Sequence, residues 1–273
     1  MLATGSNLRI DVNNISVNYN DEGRDEAPVI IFIHGFPFTK STWDAQTAAL
    51  KNTYRVISYD IRGHGSSDVG DDDFSIQLFV SDLLCLMDRL NLDKAILCGL
   101  SMGGYIALLA VKNHPDRFEG LILSDTQCVA DTAEAKEKRL NTIESIKGNG
   151  VKKYADESIK NLFAAESFIT RKNEIADVRQ MIIETPAQSL CNTLLALSTR
   201  KETCSSLHDI KIPVLILVGE EDKITPPAAS RFMHEKIQKS VFSIITQAGH
   251  LANVENPIQY NSHLEDFLKQ FAI

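Results

Sequence analysis

The sequence predicts an α/β domain: a mostly parallel eight-stranded sheet, helices on both of its faces, and one purely helical insertion. Three observations carry this prediction. The segments PVIIFIHG, YRVISYD, KAILCGL, FEGLILSD and PVLILVGEED contain continuous apolar runs, the pattern of strands buried on both faces. Helical patterns fill most of the intervals between them. From residue 132 to 205 no strand-like run occurs, so that stretch reads as a helical cap inserted into a core of residues 1–131 and 206–273. A length of 273 residues suits one large domain with such an insertion.

The elements follow in chain order. Leu8–Val12 and Ile15–Tyr19 alternate apolar and polar residues and read as a hairpin-like edge, followed by a charged turn over Asp21–Ala27. Val29–Ile33 is the first buried strand. STWDAQTAAL is a helix with Ser41 as its N-cap candidate. After the strand Tyr54–Asp60, the stretch Ser75–Leu90 sets Ile76, Phe79, Val80, Leu83, Leu84 and Met87 at three- and four-residue steps, an amphipathic helix. The strand Lys94–Leu100 leads into Met102–Asn113, a helix apolar enough to pack centrally, and then comes the strand Phe118–Asp125. The insertion reads as Ala133–Lys147, stopped at Gly148, then Val151–Phe163, Ile169–Glu184 and Pro186–Thr199. Pro213–Asp222 and Ser240–Ile245 are the last strands. Pro226–Ile237 and Pro257–Gln270 are the last helices, each with proline in its first turn.

Composition narrows the function. With 44% hydrophobic and 23% charged residues, this is an ordinary globular chain. A net charge of −8 disfavours nucleic acid and anionic membrane surfaces as partners. The apolar stretch Met102–Val111 is too short to span a bilayer. MLATGSNLRIDVNNISVNYN has neither a basic nor an apolar leader region, so no secretory signal is expected. The cysteines at 85, 98, 128, 191 and 204 are odd in number and form no C-x-x-C pair, which points to free thiols in a cytoplasmic protein. No Cys/His cluster has zinc spacing. Neither a metal nor a cofactor is expected.

CGLSMGGYIALLA is the informative stretch. Ser101 falls where a buried strand meets a helix, with Gly99 and Gly103 two residues to either side. In a strand–nucleophile–helix turn the hydroxyl projects above the sheet edge from a strained backbone, and side chains at the flanking positions would collide with the neighbouring strand and helix. The new helix aims its first amides at the reacting centre, so Met102 N–H is one oxyanion donor. A serine hydroxyl needs a base. Of seven histidines, only His250, in ITQAGHLANVENP, combines a strand-end loop with a position late in the chain. The base needs an acid at a strand end. Asp222, in LVGEEDKITPP, and Asp125, at the end of LILSD, both qualify, and the order Ser101, Asp222, His250 favours the former. HGFPF follows the first buried strand and offers Phe36 N–H as the second oxyanion donor. His34 reads as a brace for that loop, and Asp60, Arg62 and His64 as scaffold in YDIRGHGSSD.

HGFP, DIRGHGSSD, GLSMGG, GEEDKITPP and AGHLANVENP, in that order, resemble the α/β-hydrolase superfamily over nearly the whole chain. Within it the chain is similar to capped bacterial serine esterases, the 3-oxoadipate enol-lactonase-like and perhydrolase-like groups. Pro37 matches the proline of the perhydrolase-like group. Serine at 101 is unlike the aspartate of haloalkane dehalogenases and epoxide hydrolases, and Leu251 is unlike the lysine of plant hydroxynitrile lyases. The resemblance implies an α/β-hydrolase fold and cleavage of a small-molecule ester or lactone through an acyl-enzyme. Small to medium acyl groups are expected, in a pocket lined by Phe36, Phe38, Met102 and Leu251 below and by Phe163 and Phe168 above. Two other readings stay open: an enol-lactone or carbon–carbon bond hydrolase with the same residues, and a ligand-binding receptor with slow turnover.

Overall fold

The computed structural model describes residues 4–271. Eight strands form one sheet: β1 (Gly5–Val12), β2 (Ile15–Gly23), β3 (Val29–Ile33), β4 (Arg55–Tyr59), β5 (Ala95–Leu100), β6 (Phe118–Ser124), β7 (Val214–Gly219) and β8 (Ser240–Ile245). Their spatial order is β1-β2-β4-β3-β5-β6-β7-β8. The pairs β1–β2 and β2–β4 are antiparallel; from β4 onward every pairing is parallel. This matches the predicted mostly parallel sheet, and β3, β5, β6 and β7 are almost wholly buried, as continuous apolar runs require.

Helices cover both faces. α2 (Ile76–Arg89), α3 (Met102–Asn113) and α9 (Pro227–Lys236) pack on one, joining Ile33, Leu97 and Ile216 in a single apolar cluster. α1 (Asp44–Leu50) and α11 (Pro257–Leu268) cover the other, where Phe32, Trp43 and Tyr260 meet. Between β6 and β7 lie only helices and turns: α4 (Ala133–Asn149), α5 (Val151–Leu162), α6 (Ser167–Thr170), α7 (Lys172–Glu184) and α8 (Ala187–Thr199). The short helix α10 (Ala252–Glu255) precedes α11. No described helix is long and apolar enough to cross a membrane.

Three local expectations are corrected. The first helical segment is capped by Thr39, whose Oγ1 accepts from Ser41 N–H, because a 3-10 turn over Lys40–Trp43 starts the coil before Ser41 can cap it. Gly148 does not stop α4. The helix runs one residue further, and Gly150 ends it with φ +82°, a conformation that favours glycine. The expectation of free thiols fails at two positions. Cys128, just after β6, and Cys204, just before β7, are joined by a disulfide, and the other three cysteines are free. The two halves stand 76 residues apart in sequence yet meet because the insertion leaves and re-enters the core at one place. This pairing withdraws the thiol argument for a reducing compartment.

Candidate active site

In an open parallel sheet, ligands bind beyond the strand C-termini where the chain reverses its direction of travel across the sheet. Here that point lies between β3 and β5, since β4 is added on one side of β3 and β5 on the other. The residues beyond these two strands are His34–Phe36 and Ser101.

Ser101 sits at φ 52°, ψ −111°, a costly conformation for a residue with a Cβ. Its neighbours hold it there. Ser101 N–H donates to Ser124 O at 2.9 Å, and Thr126 Oγ1 donates to Ser101 O at 2.7 Å. The flanking glycines permit the turn: a Cβ on Gly99 would stand 2.3 Å from Gly103 O, and one on Gly103 would stand 2.2 Å from Ile33 O. The elbow can close only with bare backbone at both positions.

The chain brings three distant side chains into contact. Ser101 Oγ–H donates to His250 Nε2 at 2.9 Å, and His250 Nδ1–H donates to Asp222 Oδ2 at 2.8 Å. All three residues are buried. Asp222 Oδ1 accepts from the N–H groups of Ile224 and Thr225, and its Oδ2 also accepts from Thr225 Oγ1 at 2.8 Å. Burial works to raise this carboxyl. The charge of a protonated His250 and the hydrogen bonds from His250 and Thr225 outweigh it, holding Asp222 below the usual carboxylate range.

Asp125, the alternative acid, makes no hydrogen bond to His250. Its Oδ1 accepts from Gly219 N–H and its Oδ2 meets Ser124 Oγ, so it ties the end of β6 to the end of β7. Burial, then the charge of nearby Asp222, pushes its carboxyl well above the usual range.

The remaining expected residues divide. The ideal Cβ position of Gly35 is 3.2 Å from Ser101 Cβ, which sets the HGF loop against the serine. Among the described residues, neither Phe36 N–H nor Met102 N–H has an acceptor. Phe38, Leu251 and Phe163 are buried in the core cluster with essentially no accessible surface, whereas Phe168 on α6 is 40% exposed. Phe36 packs against a cluster that includes Ile143 and Ile146 of α4 and Leu190 and Leu194 of α8, and its ring lies 6.4 Å from that of Tyr154 on α5. Nothing in the residue pattern separated these inward helical positions from ordinary packing.

Glu255 was also not singled out. Its buried carboxylate accepts from Gly249 N–H at 2.7 Å, Ala164 N–H at 2.7 Å and Ser167 Oγ at 2.6 Å. His250 N–H itself donates to Leu162 O. The loop that carries the imidazole is therefore fastened to the end of α5.

His34 is a brace. Its Nε2 accepts from Ile61 N–H at 2.9 Å and its Nδ1–H donates to Gly35 O at 2.8 Å. Burial, with repulsion from His64, lowers its pKa to about 3. Below the unfolded value of about 6.5 the unfolded chain takes up a proton that the folded chain refuses, so stability drains as pH falls towards the folded value. Between about pH 6.5 and 5 His34 should account for about 2 kcal/mol of lost stability. Urea unfolding of the native chain and of His34→Gln at both pH values checks this; equal acid slopes would exclude it.

Asp60 and Arg62 occupy buried ion pairs, with Lys40 and Asp82 respectively, consistent with their reading as scaffold. Among the described residues no cluster of His, Cys, Asp and Glu has the arrangement of a metal site.

Comparison with known proteins agrees with the fold. The chain is 32% identical to 3-oxoadipate enol-lactonase 1 of Acinetobacter baylyi over 255 residues, covering 93% of each chain. A thermophilic esterase from Thermogutta terrifontis superposes with a TM-score of 0.92 at 32% identity, covering 97% of this chain and 99% of that one. The enol-lactonase from Burkholderia xenovorans superposes with a TM-score of 0.90 at 27% identity, covering 96% of this chain and 100% of that one. The model of the alpha/beta hydrolase fold family matches residues 28–257, and the chain belongs to that family.

Proposed function

We propose that this chain is a serine hydrolase that cleaves carboxylic esters of small to medium acyl groups through an acyl-enzyme. The observation that carries the proposal is the unbroken relay from Ser101 Oγ to His250 at 2.9 Å and from His250 to Asp222 at 2.8 Å. His250 takes the Ser101 proton as Oγ attacks the ester carbonyl. The N–H groups of Phe36 and Met102 hold the oxygen that becomes negative, each worth about 3–4 kcal/mol to the transition state. Asp222 keeps the imidazole in its donating tautomer and stabilises the cation. His250 then protonates the leaving alcohol, activates water against the acyl-enzyme, and the acid departs. Residues 132–205 act as a cap whose inner apolar residues limit acyl length.

Enol-lactone hydrolysis is the second reading, favoured by the likeness to two proteins named enol-lactonases. It uses the same steps, except that the leaving oxygen stays tethered to the acyl group.

A fluorophosphonate probe should label the chain stoichiometrically, with the adduct on Ser101, and Ser101→Ala should abolish labelling. Labelling of the Ala variant would defeat the assignment. In the same assay series, kcat/KM for aryl esters should fall as the acyl chain lengthens, and comparison with an enol-lactone ranks the two readings.

A further inference from the structure

A cavity lies apart from the Ser101 relay. Its volume is about 330 Å³, and it opens between the start of α2, the second turn of α3 and the end of α8. None of Ser101, Asp222, His250 and Phe36 lines it. Its apolar wall comes from Ile76, Leu109, Val129 and the ring of Tyr105. Both of its charged lining residues are cations, Arg200 and Lys201; no described aspartate or glutamate lines it, in a chain whose net charge is −8.

Arg200 makes this more than a hollow. Its side chain is 3% exposed and its guanidinium lies 4.3 Å from the centre of the Tyr105 ring. Guanidinium carries five N–H donors. In Arg200 three are engaged: Nη1 with Asp131 and Leu197 O, Nη2 with Val129 O. Nε–H and one Nη2–H have no acceptor among the described residues. The planar fork of arginine matches a carboxylate, and these free donors belong to a residue that lines the cavity. Asp131 does not cancel the charge, because Arg139 shares it.

We propose that this cavity is a second binding site, for a small carboxylate with an apolar body. The carboxylate accepts from Arg200 with Lys201 at the rim, and the apolar body rests on Tyr105 and Leu109. Inorganic phosphate, which lacks the apolar body, is not its ligand.

The test is ligand-observed NMR with 4-phenylbutyrate, 4-phenylbutyramide and inorganic phosphate. The acid should bind at millimolar concentration and the amide about tenfold more weakly, as loss of a charge-assisted hydrogen bond predicts. Phosphate should not displace the acid. Lys201→Gln, an exposed change, should weaken the acid severalfold. Leu109→Trp should fill the cavity and remove that binding. Both variants should keep native ester turnover. Equal binding of acid and amide, displacement by phosphate, or undiminished binding by Leu109→Trp would each overturn the proposal. Should Leu109→Trp fail to fold, Lys201→Gln and the acid–amide comparison still decide. Absence of ester turnover in the native chain would count against the proposed function and leave this binding experiment readable.

Discussion

Asp222→Asn should lose about four orders of magnitude in turnover, by analogy with the same change in a serine protease, while its melting temperature stays close to native. The cause can be followed atom by atom. Two backbone N–H groups, of Ile224 and Thr225, fix the side-chain oxygen Oδ1. An asparagine must keep its oxygen there, so its NH₂ faces His250 Nδ1. The imidazole then has to accept at Nδ1 and carry its proton on Nε2, where it can no longer accept from Ser101. Asp125→Asn should do little. Its carboxyl makes no hydrogen bond to His250; it is bonded to Gly219 N–H and Ser124 Oγ instead. The amide oxygen can still accept from Gly219 N–H. The two single variants, assayed side by side with thermal melts, decide the matter. A crippled Asp125→Asn beside a working Asp222→Asn would reverse the assignment.

Loss of the Cys128–Cys204 bond should lower the free energy of unfolding by roughly 2–4 kcal/mol. The bond closes a loop of 76 residues, and a long closed loop removes much freedom from the unfolded chain. It also joins the two points where the insertion meets the core. Guanidinium unfolding of the native chain and of the Cys128→Ser/Cys204→Ser double variant measures the effect. Thiol titration in denaturant should count Cys85, Cys98 and Cys191 before reduction and all of the cysteines after it. Full titration before reduction, or coincident unfolding curves, would show that the bond does not form in solution.

Much of the fold was legible because burial on two faces leaves a plain mark. VIIFI, AILCGL and VLILVG allow few states other than a central strand, and their order implies the crossovers. The serine elbow was legible for the same reason: close backbone approach demands glycine at fixed offsets. What stayed hidden depends on contacts between distant segments. No local pattern says that Cys128 meets Cys204, because the pairing depends on where the insertion returns. Asp125 and Asp222 both stand at strand ends, and only the β7–α9 turn decides which of them faces His250. Phe38, Phe163 and Leu251 are apolar side chains, and an apolar side chain reads alike whether it lines a cavity or packs in a core. The caps show the same limit: Thr39 takes the place of Ser41 because a 3-10 turn comes first.

Glu255 pins the turn before His250 to the segment that follows α5. A single carboxylate grips Gly249, next to the imidazole, and at the same time Ala164 and Ser167 beyond α5. Any motion that lifts this part of the insertion must either break those bonds or drag His250 with it. The turn that carries His250 and the segment that follows α5 are in this way one mechanical piece, held together at a buried carboxyl rather than by the covalent chain.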